Sequence, residues 1–198
     1  VGKTAIGSKL AELLDYQFVD LDDEIEAFFS MPIEKLQDRF LDMNSFRKEA
    51  SKALFYLLSL ESSKECVIAL PPSGLMSHYW NVVKKSKGLT IILNDKPGNI
   101  LKRITFYDKD SKPVKRHLTK DGKAFFRNEI KNDITYFNKS YKKADISVDV
   151  SGLNIEESVF KGRGGDVRQI ISFRKALVLS PQLAAFCATP CEFCVVCL

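Results

Sequence analysis

The chain opens on Gly2-Lys3-Thr4, and a helical pattern starts at once behind it, with Ile6, Leu10, Leu13 and Leu14 forming one apolar stripe. No other feature constrains the fold as much. The triplet is the end of the pattern G-x-x-x-x-G-K-[ST], a turn that leads from a buried strand into a helix. Gly2 lets backbone N–H groups turn toward phosphate, and the helix N-terminus adds its positive dipole end. Alone the triplet is a weak signal. It gains weight from the next segment, Tyr16-Gln17-Phe18-Val19-Asp20-Leu21-Asp22, a short apolar strand ending on acids. Because the sequence begins inside the pattern, the earlier glycines and the first, central strand of the sheet are expected to be missing from this chain.

The same alternation continues along the chain. Helical patterns cover Asp23 to Phe29, Pro32 to Phe40 and Phe46 to Leu60. Cys66-Val67-Ile68-Ala69-Leu70 reads as a buried strand, broken by Pro71-Pro72-Ser73-Gly74. A helix from Leu75 to Lys85 leads into the strand Leu89 to Leu93, and Pro97 starts a helix carrying Ile100, Leu101 and Ile104. Residues 107–122 are polar and aperiodic, which predicts a mobile loop. A polar helix over 123–143 precedes a last strand, Ile146 to Val150. Apolar strands alternating with helices predict an α/β fold: three layers, α/β/α, around a mainly parallel sheet. The predicted domain is 1–160. Gly162-Arg163-Gly164-Gly165 reads as a linker into a tail, 161–198, whose structure the pattern does not define.

Charge and composition exclude some roles. The 198 residues hold no apolar run of about 18, which speaks against a membrane-spanning helix, and no basic segment followed by an apolar one, so a cytoplasmic protein is expected. The net charge of +5 is concentrated between Lys102 and Lys143, where 13 Lys and Arg stand against 5 Asp and Glu. Such a stretch suits a solvated helical face or a cover for a polyphosphate. Its aromatic residues form no RNA-reading motif, so no nucleic-acid partner is expected. Cys66 reads as a buried thiol. Cys187, Cys191, Cys194 and Cys197 are dense enough for a zinc or iron–sulfur site, but they lie in the tail and no metal is assigned to them.

With F-x-D-x-D-x-x-I-E over Phe18 to Glu26, then Ile33, Phe46-Arg47 and the strand Val67-Ile68-Ala69-Leu70, the sequence resembles the shikimate kinases from Val1 to about Glu157. The resemblance implies a P-loop kinase fold with a mobile lid over about 107–122. It implies ATP as co-substrate, Mg²⁺ as cofactor, shikimate as the small-molecule partner and a monomer. Gly2, Lys3 and Thr4 would bind the nucleotide phosphates, with Thr4 and Asp20 as the metal residues. Asp22 would be the base that accepts the proton of the substrate hydroxyl. Arg47 would clamp the substrate carboxylate, because a planar guanidinium matches it bidentately. Arg116, in Lys115-Arg116-His117-Leu118, would close on the transferred phosphoryl group, and Arg103 would stack on the adenine.

Two departures from the family's pattern stand out. Its Gly-Gly-Gly segment is here Pro71-Pro72-Ser73-Gly74, so backbone donation to substrate falls to Ser73 and Gly74, since proline has no N–H. Its second carboxylate-binding arginine is here Phe137. The function implied is ATP-dependent phosphorylation of the 3-hydroxyl of shikimate in aromatic amino-acid biosynthesis. The alternatives are a shikimate-kinase-like binding protein without catalysis, or another small-metabolite P-loop kinase such as a gluconate kinase.

Overall fold

A computed structural model of the chain describes residues 2–86, 88–160 and 194–197. Helix α1 (Lys3–Leu14) leads to strand β1 (Gln17–Asp20), then α2 (Leu21–Phe29), α3 (Ile33–Gln37), α4 (Met43–Ser59) and β2 (Cys66–Ala69). Next come α5 (Ser77–Val83), β3 (Leu89–Asn94), α6 (Pro97–Arg103), the short strands β4 (Phe106–Tyr107) and β5 (Pro113–Val114), and α7 (Lys120–Tyr141). Strand β6 (Ile146–Asp149), α8 (Ile155–Phe160) and β7 (Cys194–Cys197) complete the order.

The main sheet has the order β1-β2-β7-β3-β6, and its pairings are parallel throughout. Its middle position, where the strand leading into Gly2-Lys3-Thr4 is expected, holds a strand from the far end of the chain. Residues 194–197 take that position, pairing with Cys66–Ala69 on one side and with Leu89–Ile91 on the other. Two members of the cysteine tail, Cys194 and Cys197, therefore end a strand, while Cys187 and Cys191 lie outside the described residues. A four-residue strand in the middle of a parallel sheet has its backbone groups consumed on both edges. That requirement explains why the slot is filled.

Alternation along the strands divides the core into two layers, as a period of two dictates. Cys66, Ile68 and Ile92 face the cluster built from Leu21, Ile25, Leu36, Phe46, Leu54 and Tyr79 of helices α2 to α5. Val67, Ile91, Ile146 and Val148 face Ile6, Leu10, Ala11 and Leu14 of α1. Among the described residues no helix is long and apolar enough to cross a membrane.

Local chemistry sets the element ends. Asp42 starts α4 three residues before the predicted Phe46, its carboxylate accepting from the N–H groups of Asn44 and Ser45 at 2.8 and 2.9 Å. Helix α3 is shorter than its pattern suggested, ending at Gln37. The predicted loop of 107–122 is instead an antiparallel hairpin, β4–β5, followed by a helix that begins at Lys120 on the Thr119 cap.

Gly7 lets α1 lie close on β1. A Cβ there would sit 2.8 Å from the Phe18 ring and 3.6 Å from Val67. Although valine is the better helix former, Gly7→Val is expected to lower stability by about 1–3 kcal/mol through overpacking. Urea unfolding checks this; a gain in stability would show that α1 does not press on β1.

Candidate active site

The C-terminal edge of the parallel strands gathers the groups singled out from the sequence, as expected for an open α/β sheet. Gly2 caps α1 with φ of 95°, a left-handed conformation that side chains disfavour. The next residue, Lys3, donates from Nζ to the carbonyl of Leu70, just past the end of β2. Thr4 Oγ1 donates to Asp20 Oδ2 at 2.8 Å, tying the first turn of α1 to the end of β1.

Asp20 does a second thing. Its Oδ1 accepts from the N–H of Asp22 at 3.2 Å and so caps α2. One carboxylate oxygen of Asp20 thus serves α2 and the other Thr4. The cap also fixes Asp22 in the first turn of α2. Burial pushes the Asp22 carboxyl from its ordinary 3.8 to about 6, with Lys3 opposing and the carboxylates of Asp20, Asp23 and Glu26 adding to the rise. The sequence thus places two acids two residues apart, and the fold gives them different environments.

Arg47 lies in the first turns of α4, set there by the Asp42 cap, and is buried to 9% exposure. Its Nε has no hydrogen-bond partner, and neither has the hydroxyl of Tyr79 on α5. These are the two buried side-chain polar atoms left unsatisfied among the described residues. The sequence pattern did not single out Tyr79, which stands between His78 and Trp80 in the stretch read only as a helix.

The segment before α5 behaves differently from expectation. The N–H of Gly74 donates to the carbonyl of Pro71 at 2.8 Å, closing a turn, and Met76 N–H donates to Ser73 O. The Gly74 N–H is thus engaged in this turn. Ser73 is buried beside it.

Arg103, at the end of α6, is paired with Asp95 and lies against the Gly2 backbone, 3.7 Å from where a Cβ would stand. Burial works to raise the Asp95 carboxyl, but hydrogen bonds from Asn99 and Lys96 N–H, with the Arg103 charge, hold it below its ordinary value. Arg103 is thus beside the phosphate turn but engaged with an acid. Arg116, past β5, has its guanidinium over the Phe106 ring at 5.3 Å. Its contact is an aromatic ring of its own hairpin, not the Lys3–Asp22 group.

A cavity of about 240 Å³ opens beside Lys3, walled by Pro72, Asp95, Asp133, Phe137 and Tyr141. Phe137 stacks on Tyr141 with ring centroids 5.9 Å apart, giving this wall an apolar face. The turn of the β4–β5 hairpin is tied to α2 and to α3 and its C-terminal end. Lys35 pairs with Asp110, Asp38 with Lys109, and Ser111 Oγ meets the carboxylates of Glu26 and Glu34. Glu26 also accepts from Ile33 N–H at 2.8 Å, so the acid at the end of the F-x-D-x-D-x-x-I-E run starts α3 as well.

Comparison with known proteins bears on the family and the fold. The family model described as shikimate kinase matches residues 1–162. A shikimate kinase from Alkaliphilus oremlandii is 38% identical over 104 residues, covering 52% of this chain and 59% of that protein. One from Caldanaerobacter subterraneus is 30% identical over 159 residues, covering 79% and 84%. The crystal structure of the shikimate kinase from Aquifex aeolicus superposes with a TM-score of 0.58 at 26% identity, covering 90% of this chain and 92% of that one. That from Bacteroides thetaiotaomicron, at 19% identity and a TM-score of 0.61, shares the fold.

The Asp22 environment has a consequence for stability that can be signed. Its folded-state value lies above the unfolded one, so the native state holds the proton more tightly, and stability falls as pH rises from about 4 to about 6. Asp22→Asn carries no charge to bury. It is expected to be more stable than the parent at pH 7 by about 3 kcal/mol, with the difference vanishing below about pH 4. Urea unfolding of both proteins across that range decides; a difference independent of pH would show that Asp22 is not strained by burial.

Proposed function

The chain belongs to the shikimate kinase family, and on that premise we propose that it transfers the γ-phosphoryl group of ATP to the 3-hydroxyl of shikimate. The observation that carries the reading is the convergence, at one edge of the sheet, of Lys3, the Thr4–Asp20 pair and the desolvated Asp22. A phosphate-binding helix start, a pair of hard oxygen donors and a candidate base are what phosphoryl transfer to an alcohol needs.

In this reading Gly2 and the first turn of α1 receive the nucleotide phosphates, and Lys3 exchanges the Leu70 carbonyl for phosphate oxygen. The Thr4 hydroxyl and the Asp20 carboxylate, 2.8 Å apart, fit a hard divalent cation such as Mg²⁺. When bound, that ion neutralises charge on the phosphates. Asp22 accepts the proton of the acceptor hydroxyl as its oxygen bonds to the γ-phosphorus and the bond from that phosphorus to the ADP oxygen breaks. Arg47 holds the acceptor's carboxylate. Arg116 leaves the Phe106 ring to approach the phosphoryl group when the lid closes. Support for this role comes from its position beside the hairpin alone. Phe137 and Pro72 leave the acceptor pocket with fewer polar contacts, so Arg47 carries more of the recognition.

Arg47→Ala is expected to raise the KM for shikimate by about 10- to 150-fold, the equivalent of a charged hydrogen bond of about 1.5–3 kcal/mol. The KM for ATP should stay within about twofold, because the nucleotide is held at Gly2, Lys3 and Thr4. Lys3→Ala should abolish turnover. Coupled measurement of ADP release tests both. Shikimate that shifts the melting temperature without releasing ADP would identify a binding protein instead.

A further inference from the structure

Tyr79 is fully buried, at 0% exposure, in the core beneath α4 and α5. A phenylalanine would fill that space equally well. Instead the residue carries a hydroxyl that is shielded from solvent and has no hydrogen-bond partner. Leaving a hydroxyl in that state destabilises the fold, and such groups are rare in folded proteins. The other orphaned side-chain atom is Arg47 Nε, on the helix that α5 packs against. Tyr79 feels the charges of both Asp22 and Arg47, after burial itself, which raises its hydroxyl above the ordinary value. Two unsatisfied donors from facing helices, next to a desolvated acid, have one economical explanation: both wait for the same anionic oxygen atoms.

We propose that Tyr79 is an acceptor-binding residue that, with Arg47, forms a two-donor seat for the carboxylate of the phosphoryl acceptor. The inference rests on the kinase reading above and deepens it. The guanidinium supplies charge and one or two N–H donors; the phenol supplies a neutral O–H from the α5 side. A carboxylate has lone pairs for both. The hydroxyl is then unsatisfied in the free protein and satisfied in the complex, so its stability deficit is converted into affinity on binding.

Steady-state kinetics and thermal unfolding of Tyr79→Phe test this together. The variant removes one oxygen from a packed ring, so it should fold, with a melting temperature equal to or above that of the parent. Its KM for shikimate should rise about tenfold, while kcat and the KM for ATP stay within about twofold. For the methyl ester of shikimate, which has no carboxylate, the parent and Tyr79→Phe should have the same KM. In an Arg47→Ala background, Tyr79→Phe should add little, because the carboxylate is no longer seated. A tyrosine that only fills the core predicts an untouched shikimate KM whatever the melting temperature, and that result overturns the proposal. An equal rise in KM for shikimate and its ester also overturns it, placing the hydroxyl elsewhere on the substrate. Failure of the parent to release ADP on adding shikimate overturns the kinase reading and this seat with it.

Discussion

One hydrogen bond organises the site: Thr4 Oγ1 to Asp20 Oδ2, between the first turn of α1 and the end of β1. The helix that presents phosphate-binding groups and the strand that presents acids are separate elements, and nothing in their own geometry fixes one against the other. Gly7 brings their middles together by admitting the Phe18 ring. The Thr4–Asp20 bond then sets their ends. Because Asp20 simultaneously caps α2, the same carboxylate determines how α1 is seated, where α2 begins and how deeply Asp22 is enclosed. A charge-assisted bond of this kind is roughly twice as strong as a neutral one, which suits a contact on which three elements depend.

The acceptor side is built by a second set of caps. Asp42 starts α4 and places Arg47; Glu26 starts α3 and reaches Ser111 in the lid. In each case an acid needed to satisfy a helix end also fixes the position of a functional side chain. The shikimate kinase fold of this chain thus places few residues by packing alone. Tyr79 is the exception, held by the core and left with its hydroxyl unsatisfied.

Much of this was legible in the sequence because it rests on short-range pattern. The G-K-T helix, the acid-terminated strand and the runs at 66–70 and 89–93 depend on residues within a few positions of one another. Three things were not legible. The hairpin β4–β5 has two-residue strands with a polar turn, too short to show a period of two. The central strand at 194–197 pairs with residues far upstream, and it lies in a tail whose structure the sequence pattern does not define. The orphaned atoms of Arg47 and Tyr79 were hidden because lacking a partner is a property of the fold and not of a residue type.

The lid ties have a physical character of their own. Lys35–Asp110 and Lys109–Asp38 are pairs of exposed side chains, roughly half open to solvent. Pairs of this kind contribute little each, and dissolved ions weaken them further within a Debye length of about 8 Å at physiological ionic strength. Of the attachments of the hairpin, these two are therefore the ones that dissolved salt weakens, while the part-buried contacts of Ser111 with Glu26 and Glu34 are shielded from it. The turn of the hairpin is thus held by two kinds of contact that answer differently to the electrolyte around the protein.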